Sequence, residues 1–277
     1  MDRFILEQQL RQFLLEDIGH GDITTDAIFS NDQEGRGVFV AKEPLVSVGM
    51  KKVAANVFKL LDENVQILQA MEDGQRAETG DVLFEIIGPV TCLLNGERVA
   101  LNLVQHLCGI ATLTAAFIKQ IKGLPVQITD TRKTTPGLRI LEKYAVKVGG
   151  GSNHRFNLSD GVLIKDNHIA ACSSITDAVK LARSRIPHTI RIEVETDTLE
   201  QVQECIDCGV DIIMLDNMTL DTMREAVGLI DGRALVEASG GVTLDTVRKI
   251  AQSGVDLISI GCLTHSAPAV DISMDWQ

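Results

Sequence analysis

No stretch of this sequence reads as the 18 or more uncharged apolar residues that a membrane-spanning helix needs. The opening segment, MDRFILEQQLRQFLLEDIGHGD, carries too many charges for a secretory signal. The expectation is a cytoplasmic chain with no membrane partner. The six cysteines (Cys92, Cys108, Cys172, Cys205, Cys208, Cys262) are scattered, which argues against a disulfide framework or a zinc site. Cys205 and Cys208 form a C-x-x-C, but it lies within an amphipathic helical stretch and has no second ligand pair. An excess of basic residues is missing too: the net charge is -12, against the basic face that a nucleic-acid partner requires. There is no carrier lysine at the glycine-flanked turn of residues 73–87, which reads as a tight hairpin with glycines at positive φ. No G-x-G-x-x-G follows the first strand of the second half.

With 277 residues and 45% apolar content, the chain can build one large core or two moderate ones. An apolar-periodic helix (Phe4, Ile5, Leu10, Phe13, Leu14) opens the chain, and a turn-rich stretch over 17–26 follows. Strands are expected at 38–41, 65–68 and 82–87, with a helix over about 50–61, making a small α+β domain. A long helix over about 96–119, apolar on most of its surface, is expected to be buried between two domains and to contain their boundary.

From Leu124 the pattern becomes strand, loop, helix, repeated. Strands are expected at 126–130, 162–166, 190–195, 211–216, 234–239 and 257–261, and the last four start about 21 to 23 residues apart. A doubly wound open sheet and a parallel β/α barrel both fit this alternation; the missing G-x-G-x-x-G and the regular length of the later units favour the barrel. Too few residues remain for eight units, so the barrel is incomplete, with six or seven strands. The expected division is 1–108 for the N-terminal domain and 109–267 for the barrel, with a tail over 268–277 packing back on the N-terminal domain.

A β/α barrel builds its active site at the C-terminal ends of its strands. Those ends read Asp130-Thr131-Arg132-Lys133, Lys165-Asp166-Asn167, Glu195, Asp216-Asn217, Ser239-Gly240-Gly241 and Gly261. Asp216 and Ser239 could simply cap helices. Several strands delivering cations, anions and a glycine turn to one rim point to chemistry instead. Between Arg132 and His168 the chain gathers seven Lys or Arg against three acids. Arg139, Lys143 and Lys147, four residues apart, read as a solvated helix face. Arg132, Lys133, Arg155 and Lys165, with His154, read as a basic pocket suited to carboxylates. Glu195 and Asp216 are hard oxygen ligands for Mg²⁺, which usually binds one or two carboxylates plus substrate phosphate oxygens. Gly240, Gly241 and Gly261 let backbone N–H groups approach a phosphate at the starts of the following helices.

The segments NGERVALN (95–102), TRKTTPGLRILEKYAVKVGGGSNHR (131–155), LIKDNHI (163–169), IEVET (192–196), IIMLDNM (212–218), EASGGV (237–242) and ISIG (258–261) together resemble the quinolinate phosphoribosyltransferase family over essentially the whole chain. The resemblance implies transfer of phosphoribose from 5-phosphoribosyl 1-diphosphate to quinolinate. Loss of the 2-carboxylate as CO₂ then gives nicotinate mononucleotide on the route to NAD. It implies an N-terminal α/β sandwich domain packed on an incomplete β/α barrel, and a homodimer with a shared active site; higher oligomers also occur in the family. By the same resemblance Arg132, His154, Arg155 and Lys165 hold the quinolinate carboxylates, with Arg98 reaching in from the neighbouring subunit. Thr131 and Lys133 contact substrate, Lys133 on the phosphoribosyl side. Glu195 and Asp216 bind ribose hydroxyls and Mg²⁺, and Ser239, Gly240, Gly241 and Gly261 lie along the 5-phosphate. Lys133, Lys165, Glu195 and Asp216 are the expected catalytic set.

Three other readings stay open on the residues. One is a same-fold relative of unknown reaction, against which the lysine-centred LIKDNH speaks. Another is a non-catalytic anion sensor, which would gain nothing from Glu195 and Asp216. The third is an aldolase-type barrel using Lys133 or Lys165 as a Schiff base.

Overall fold

The structure, a computed structural model, describes residues 2–30 and 33–277. The chain forms two compact units. The first comprises Met1–Ala115, Thr135–Gly150 and Ser266–Gln277; the second comprises Ala116–Thr134 and Gly151–His265.

Helix α1 (Arg3–Ile18) starts where the Asp2 carboxylate accepts the N–H groups of Phe4 and Ile5, and it buries Leu6, Leu10 and Leu14. The stretch read as turns contains a short helix, α2 (Ile23–Ile28), because Asp22 accepts the N–H groups of Thr24 and Thr25 and so acts as a helix cap. Then come β1 (Glu34–Ala41), β2 (Leu45–Val46), a π-helical turn Met50–Ala54, α3 (Ala55–Leu61), β3 (Gln66–Ala70), β4 (Arg76–Ala77) and β5 (Val82–Pro89). Gly74 and Gly80 have the expected positive φ of 84° and 94°. The strands beside Gly80 do not form a hairpin with each other. β4 pairs with β2, and β5 pairs with β1 and β3, because the turn hands its N–H groups to Ser47 and Ala41 instead.

Helix α4 (Val90–Gln120) corrects one expectation. Its 31 residues are long and apolar enough to cross a membrane by length and composition, and residues 99–118 hold no Asp, Glu, Lys or Arg. Just over half of its most apolar stretch is buried. Ala100, Leu101, Val104, Leu107 and Ala111 are buried in the first unit, so that part of the helix is apolar as a core element.

The second unit takes in the end of α4 from Ala116, and its first strand is β6 (Gln127–Thr129). The chain then returns to the first unit for α5 (Arg139–Val148), whose inward face corrects the reading of a solvated basic stripe. Lys143 is fully buried beside Leu141, Glu142 and Ala145; the buried Glu142 accepts from His106 at 2.9 Å and from the Thr135 N–H at 3.1 Å. Lys147 stays exposed and Arg139 is half-buried.

Alternating elements follow: β7 (Val162–Ile164), α6 (Asp166–Cys172), α7 (Ile175–Arg183), β8 (Ile192–Thr196), α8 (Leu199–Cys208), β9 (Ile212–Asp216), α9 (Leu220–Ile230), β10 (Leu235–Ser239), α10 (Val247–Ala251), β11 (Leu257–Ser259) and α11 (Cys262–His265). Cys205 and Cys208 lie on α8 as free thiols, Cys205 buried. The six strands form one parallel sheet in the order β6-β11-β10-β9-β8-β7. Ser152 adds a single parallel bridge to Thr129 on the outer side of β6, a rudiment of a seventh strand. The sheet is an incomplete β/α barrel with six strands. The helix-facing layer of the sheet, Ile128, Val194, Leu215 and Ala238, is buried. Strand β12 (Ile272–Trp276) belongs to the first unit and pairs antiparallel with β1, giving a four-stranded sheet in the order β12-β1-β5-β3.

Candidate active site

Parallel strands end on one side of a sheet, so the residues that follow β6 to β10 share one rim of the second unit. A cavity of about 650 Å³ opens there. Eleven of the thirteen expected site residues line it. The basic side is Arg132, Lys133, His154, Arg155 and Lys165, with Thr131; the acidic side is Glu195 and Asp216; the glycine turn is Ser239, Gly240 and Gly241. Arg98 is not among them. It lies on α4 in the first unit, with its side chain 59% exposed and 3.8 Å from Glu97. Gly261 lies just beyond the lining, and a Cβ there would come within 3.1 Å of Lys133 Cδ and of His265 Nε2. Its bare backbone thus makes room for the lysine stem.

Burial, and next the charge of Arg132, pull the Arg155 guanidinium below its ordinary pKa, while Glu193 and Asp160 oppose them. Arg155 is oriented by donating from Nη1 to the Gly161 carbonyl at 2.8 Å. Lys133 is held through its backbone, where its N–H donates to Thr131 Oγ1 and its carbonyl accepts from Thr264 Oγ1. Lys165 forms an ion pair with Glu195.

The Glu195 carboxylate sits at the end of β8 with 18% of its side chain exposed. Asp216 ends β9, and its Oδ2 accepts from Asn217 Nδ2 at 2.8 Å. Two carboxylates on adjacent strands, open to a cavity and presenting only oxygen, fit a hard divalent cation that keeps further positions for substrate oxygens.

The glycine turn differs from expectation in one respect. Gly240 and Gly241 adopt φ of 95° and 59°, but α10 begins only at Val247, so their N–H groups belong to a turn rather than to a helix start. Asn217, itself in the left-handed region at φ 52°, donates its N–H to the Ser239 carbonyl and packs against Gly240.

Sequence reasoning missed the floor of the cavity. Fully buried Asp130 accepts the His154 N–H at 2.9 Å and Asn153 Nδ2 at 2.6 Å, fixing residues 153–155 against β6. The Arg155 N–H donates to His154 Nδ1 at 2.8 Å, and His154 Nε2 lies 3.1 Å from Glu193 Oε2 and 3.7 Å from Glu237 Oε1. Burial, and next the neighbouring Glu193, push the Glu237 carboxyl up to about 7; His154 and the nearby Ser259 hydroxyl pull the other way. Glu193 and Glu237 occupy inward positions of strands read only as barrel wall. The available signal was an acidic residue two positions before Glu195 and another two before Ser239, the same face by strand alternation.

The sequence matches two family descriptions: "Quinolinate phosphoribosyl transferase, C-terminal domain" over residues 110–275 and "Quinolinate phosphoribosyl transferase, N-terminal domain" over residues 22–129. It is 48% identical over 275 residues to the probable nicotinate-nucleotide pyrophosphorylase [carboxylating] of Bacillus subtilis (strain 168), covering 99% of this chain and 94% of that protein. It is 41% identical over 273 residues to the nicotinate-nucleotide pyrophosphorylase [carboxylating] of Mycobacterium leprae (strain TN), covering 96% and 95%. The crystal structure of NadC from Streptococcus pyogenes superposes with a TM-score of 0.95 at 44% identity, covering 99% of this chain and 97% of that one.

Proposed function

Because the chain belongs to the quinolinate phosphoribosyltransferase family, we propose that its barrel-mouth pocket joins quinolinate to 5-phosphoribosyl 1-diphosphate, releasing diphosphate and CO₂ and giving nicotinate mononucleotide. The observation that carries this reading is the convergence of a cationic wall, two carboxylates and a glycine turn in one cavity of about 650 Å³. A diacid and a phosphorylated sugar need different partners, and the pocket supplies both sets within one volume.

In this reading Arg132, Arg155 and Lys165 hold the quinolinate carboxylates, the guanidinium forks by paired hydrogen bonds. His154 acts from beneath, its Nδ1 fixing the Arg155 backbone. Thr131 sets Lys133, which meets the phosphoribosyl substrate. The 5-phosphate lies along Ser239, Gly240, Gly241 and Gly261. Glu195 and Asp216 take the ribose hydroxyls and hold Mg²⁺, which supplies positive charge at the departing diphosphate oxygens.

Positive charge grows on the ribose as diphosphate leaves, and the carboxylates of Glu195 and Asp216 stabilise it. Arriving quinolinate draws Lys165 away from Glu195, freeing that carboxylate for the sugar. Binding of the acceptor thus readies the donor's half of the site. Once the pyridine nitrogen is ribosylated it is cationic, and its positive charge stabilises the electron pair that the departing carboxylate leaves on C2. Orientation and exclusion of water are the protein's contribution there. The working form is a cytoplasmic homodimer in which Arg98 of a second copy completes the cationic wall.

The test is product formation from 5-phosphoribosyl 1-diphosphate and Mg²⁺ with quinolinate, and in parallel with nicotinate. Mononucleotide from quinolinate alone, with CO₂ equal to product, is expected. Product from nicotinate, or none from either, would overturn the reading. Borohydride trapping separates it from a Schiff-base aldolase, which would leave Lys133 or Lys165 covalently labelled.

A further inference from the structure

Glu237 lies between two cavities of the second unit. It lines the mouth pocket and also an inner cavity of about 400 Å³, and among the described residues only His154 and Arg155 are shared in the same way. The inner cavity is walled by the entry ends of the strands at Gln127, Ile212 and Leu257, and by Ser152 and Gly161, which flank the gap where a further strand is missing. Glu237 is 2% exposed, and its Oε1 makes no hydrogen bond.

Two buried carboxyl groups, Glu237 and Glu193, share one imidazole, that of His154. Glu193 approaches from β8, His154 and Arg155 come from the loop before β7, Ser259 from β11, and β9 offers only Met214. His154 Nδ1 accepts the Arg155 N–H, so the proton of the neutral ring sits on Nε2, and Glu193 Oε2 at 3.1 Å is its nearer acceptor. A second bare carboxylate in this interior would face the first at close range, beneath a pocket meant for a dianion. Like-charged buried carboxylates avoid this by keeping one proton, as the raised Glu237 carboxyl indicates.

We propose that Glu237 is the catalytic acid that protonates the pyridine ring after CO₂ has left. The inference rests on the reaction proposed above. Quinolinate enters with its 2-carboxylate toward the floor, where the Glu237 hydroxyl donates to it. After ribosylation the bond between C2 and that carboxylate breaks. CO₂ departs, and the electron pair stays on C2 beside the cationic nitrogen. The Glu237 O–H bond then breaks, its proton forms the new C2–H bond, and Glu237 is left as a carboxylate. A proton from solvent, delivered through the inner cavity, restores the acid. Each turnover consumes one proton and neither oxidises nor reduces the protein.

The decisive experiment is carried out on the full-length enzyme in equimolar H₂O and D₂O, reading the H/D ratio at C2 of nicotinate mononucleotide by mass spectrometry. The reference is nonenzymatic decarboxylation of quinolinate mononucleotide in the same solvent, where water is the donor. The wild type is expected to give a ratio different from the reference. Glu237→Gln, similar in size but without an acidic proton, is expected to move the ratio to the reference and slow CO₂ release by on the order of 10²-fold. Glu237→Asp is expected to keep the wild-type ratio at a lower rate. A wild-type ratio equal to the reference overturns the proposal, as does a Glu237→Gln ratio equal to the wild type whatever its rate. Should Glu237→Gln fail to fold, the wild-type comparison still decides. If wild-type enzyme makes no mononucleotide from quinolinate, the underlying reaction falls; normal wild-type turnover with the wrong ratio sinks only the role of Glu237.

Discussion

A methyl group on Gly240 would sit 2.1 Å from Oδ1 of Asn217. The two residues end neighbouring strands, and each holds a left-handed backbone, φ 95° and 52°. Asn217 also donates to Asp216, so this contact joins the glycine turn to one of the two carboxylates that flank the ribose in the proposed complex. Gly240→Ala adds strain on the order of 1–3 kcal/mol and pushes Asn217 off Asp216. We expect kcat/KM for 5-phosphoribosyl 1-diphosphate to fall at least about tenfold, on a scale of 1.4 kcal/mol per tenfold, with a smaller change in quinolinate binding. Steady-state kinetics with each substrate varied in turn checks the split.

Asp130 anchors the segment that carries His154 and Arg155. Asp130→Ala leaves those donors without their buried acceptor, a loss of about 1–3 kcal/mol. Quinolinate affinity is expected to drop about tenfold or more, while affinity for 5-phosphoribosyl 1-diphosphate changes little. Calorimetric titration of each ligand alone measures this, and an equal loss for both would count against a local anchoring role.

Burial of Glu237 has a consequence for stability as well as for chemistry. Its folded-state pKa is raised from 4.5 to about 7, so between those values the folded protein holds a proton that the unfolded chain has lost. Stability from this group is therefore greatest in acid and declines as pH rises through the window, by about 3 kcal/mol at most. Glu237→Gln removes the decline. The variant should gain melting temperature relative to wild type at pH 8 and gain little at pH 5. Equal differences at both pH values would show that Glu237 folds as an ordinary carboxylate.

Arg98 is a surface residue of the first unit, and in the proposed dimer it serves the partner's pocket. Arg98→Ala and Lys133→Ala, each nearly inactive alone, should recover activity when mixed and allowed to exchange subunits, because some hybrid sites are then intact. Labelled subunits report the exchange. Exchange without recovery would rule out a shared site.

The β/α rhythm from Leu124 onward was legible because each unit repeats one local pattern, a short apolar run followed by an amphipathic helix. The polar residues at the strand ends were legible for a related reason: in a barrel, chain direction alone tells which end of each strand reaches the mouth. Eleven expected residues meeting in one cavity follow from that rule. The first unit was less readable. Lys143 looks like part of a solvated stripe until the packing of α5 buries it, and α4, legible as apolar on most of its surface, holds an uncharged stretch, not read from the sequence, that is long enough to cross a membrane.

By itself, the sequence determined the parallel barrel, its incompleteness and the chemical types on its rim, since periodicity and strand polarity are local properties. Only the tertiary structure decided that Glu193, His154 and Glu237 meet beneath that rim, within 3.7 Å along the His154 contacts. They lie on three separate segments, 39 or more residues apart in sequence for either partner of His154, and no local pattern encodes such a meeting. The state of a buried acid depends on which charges surround it and how far water has been removed, and folding alone sets both.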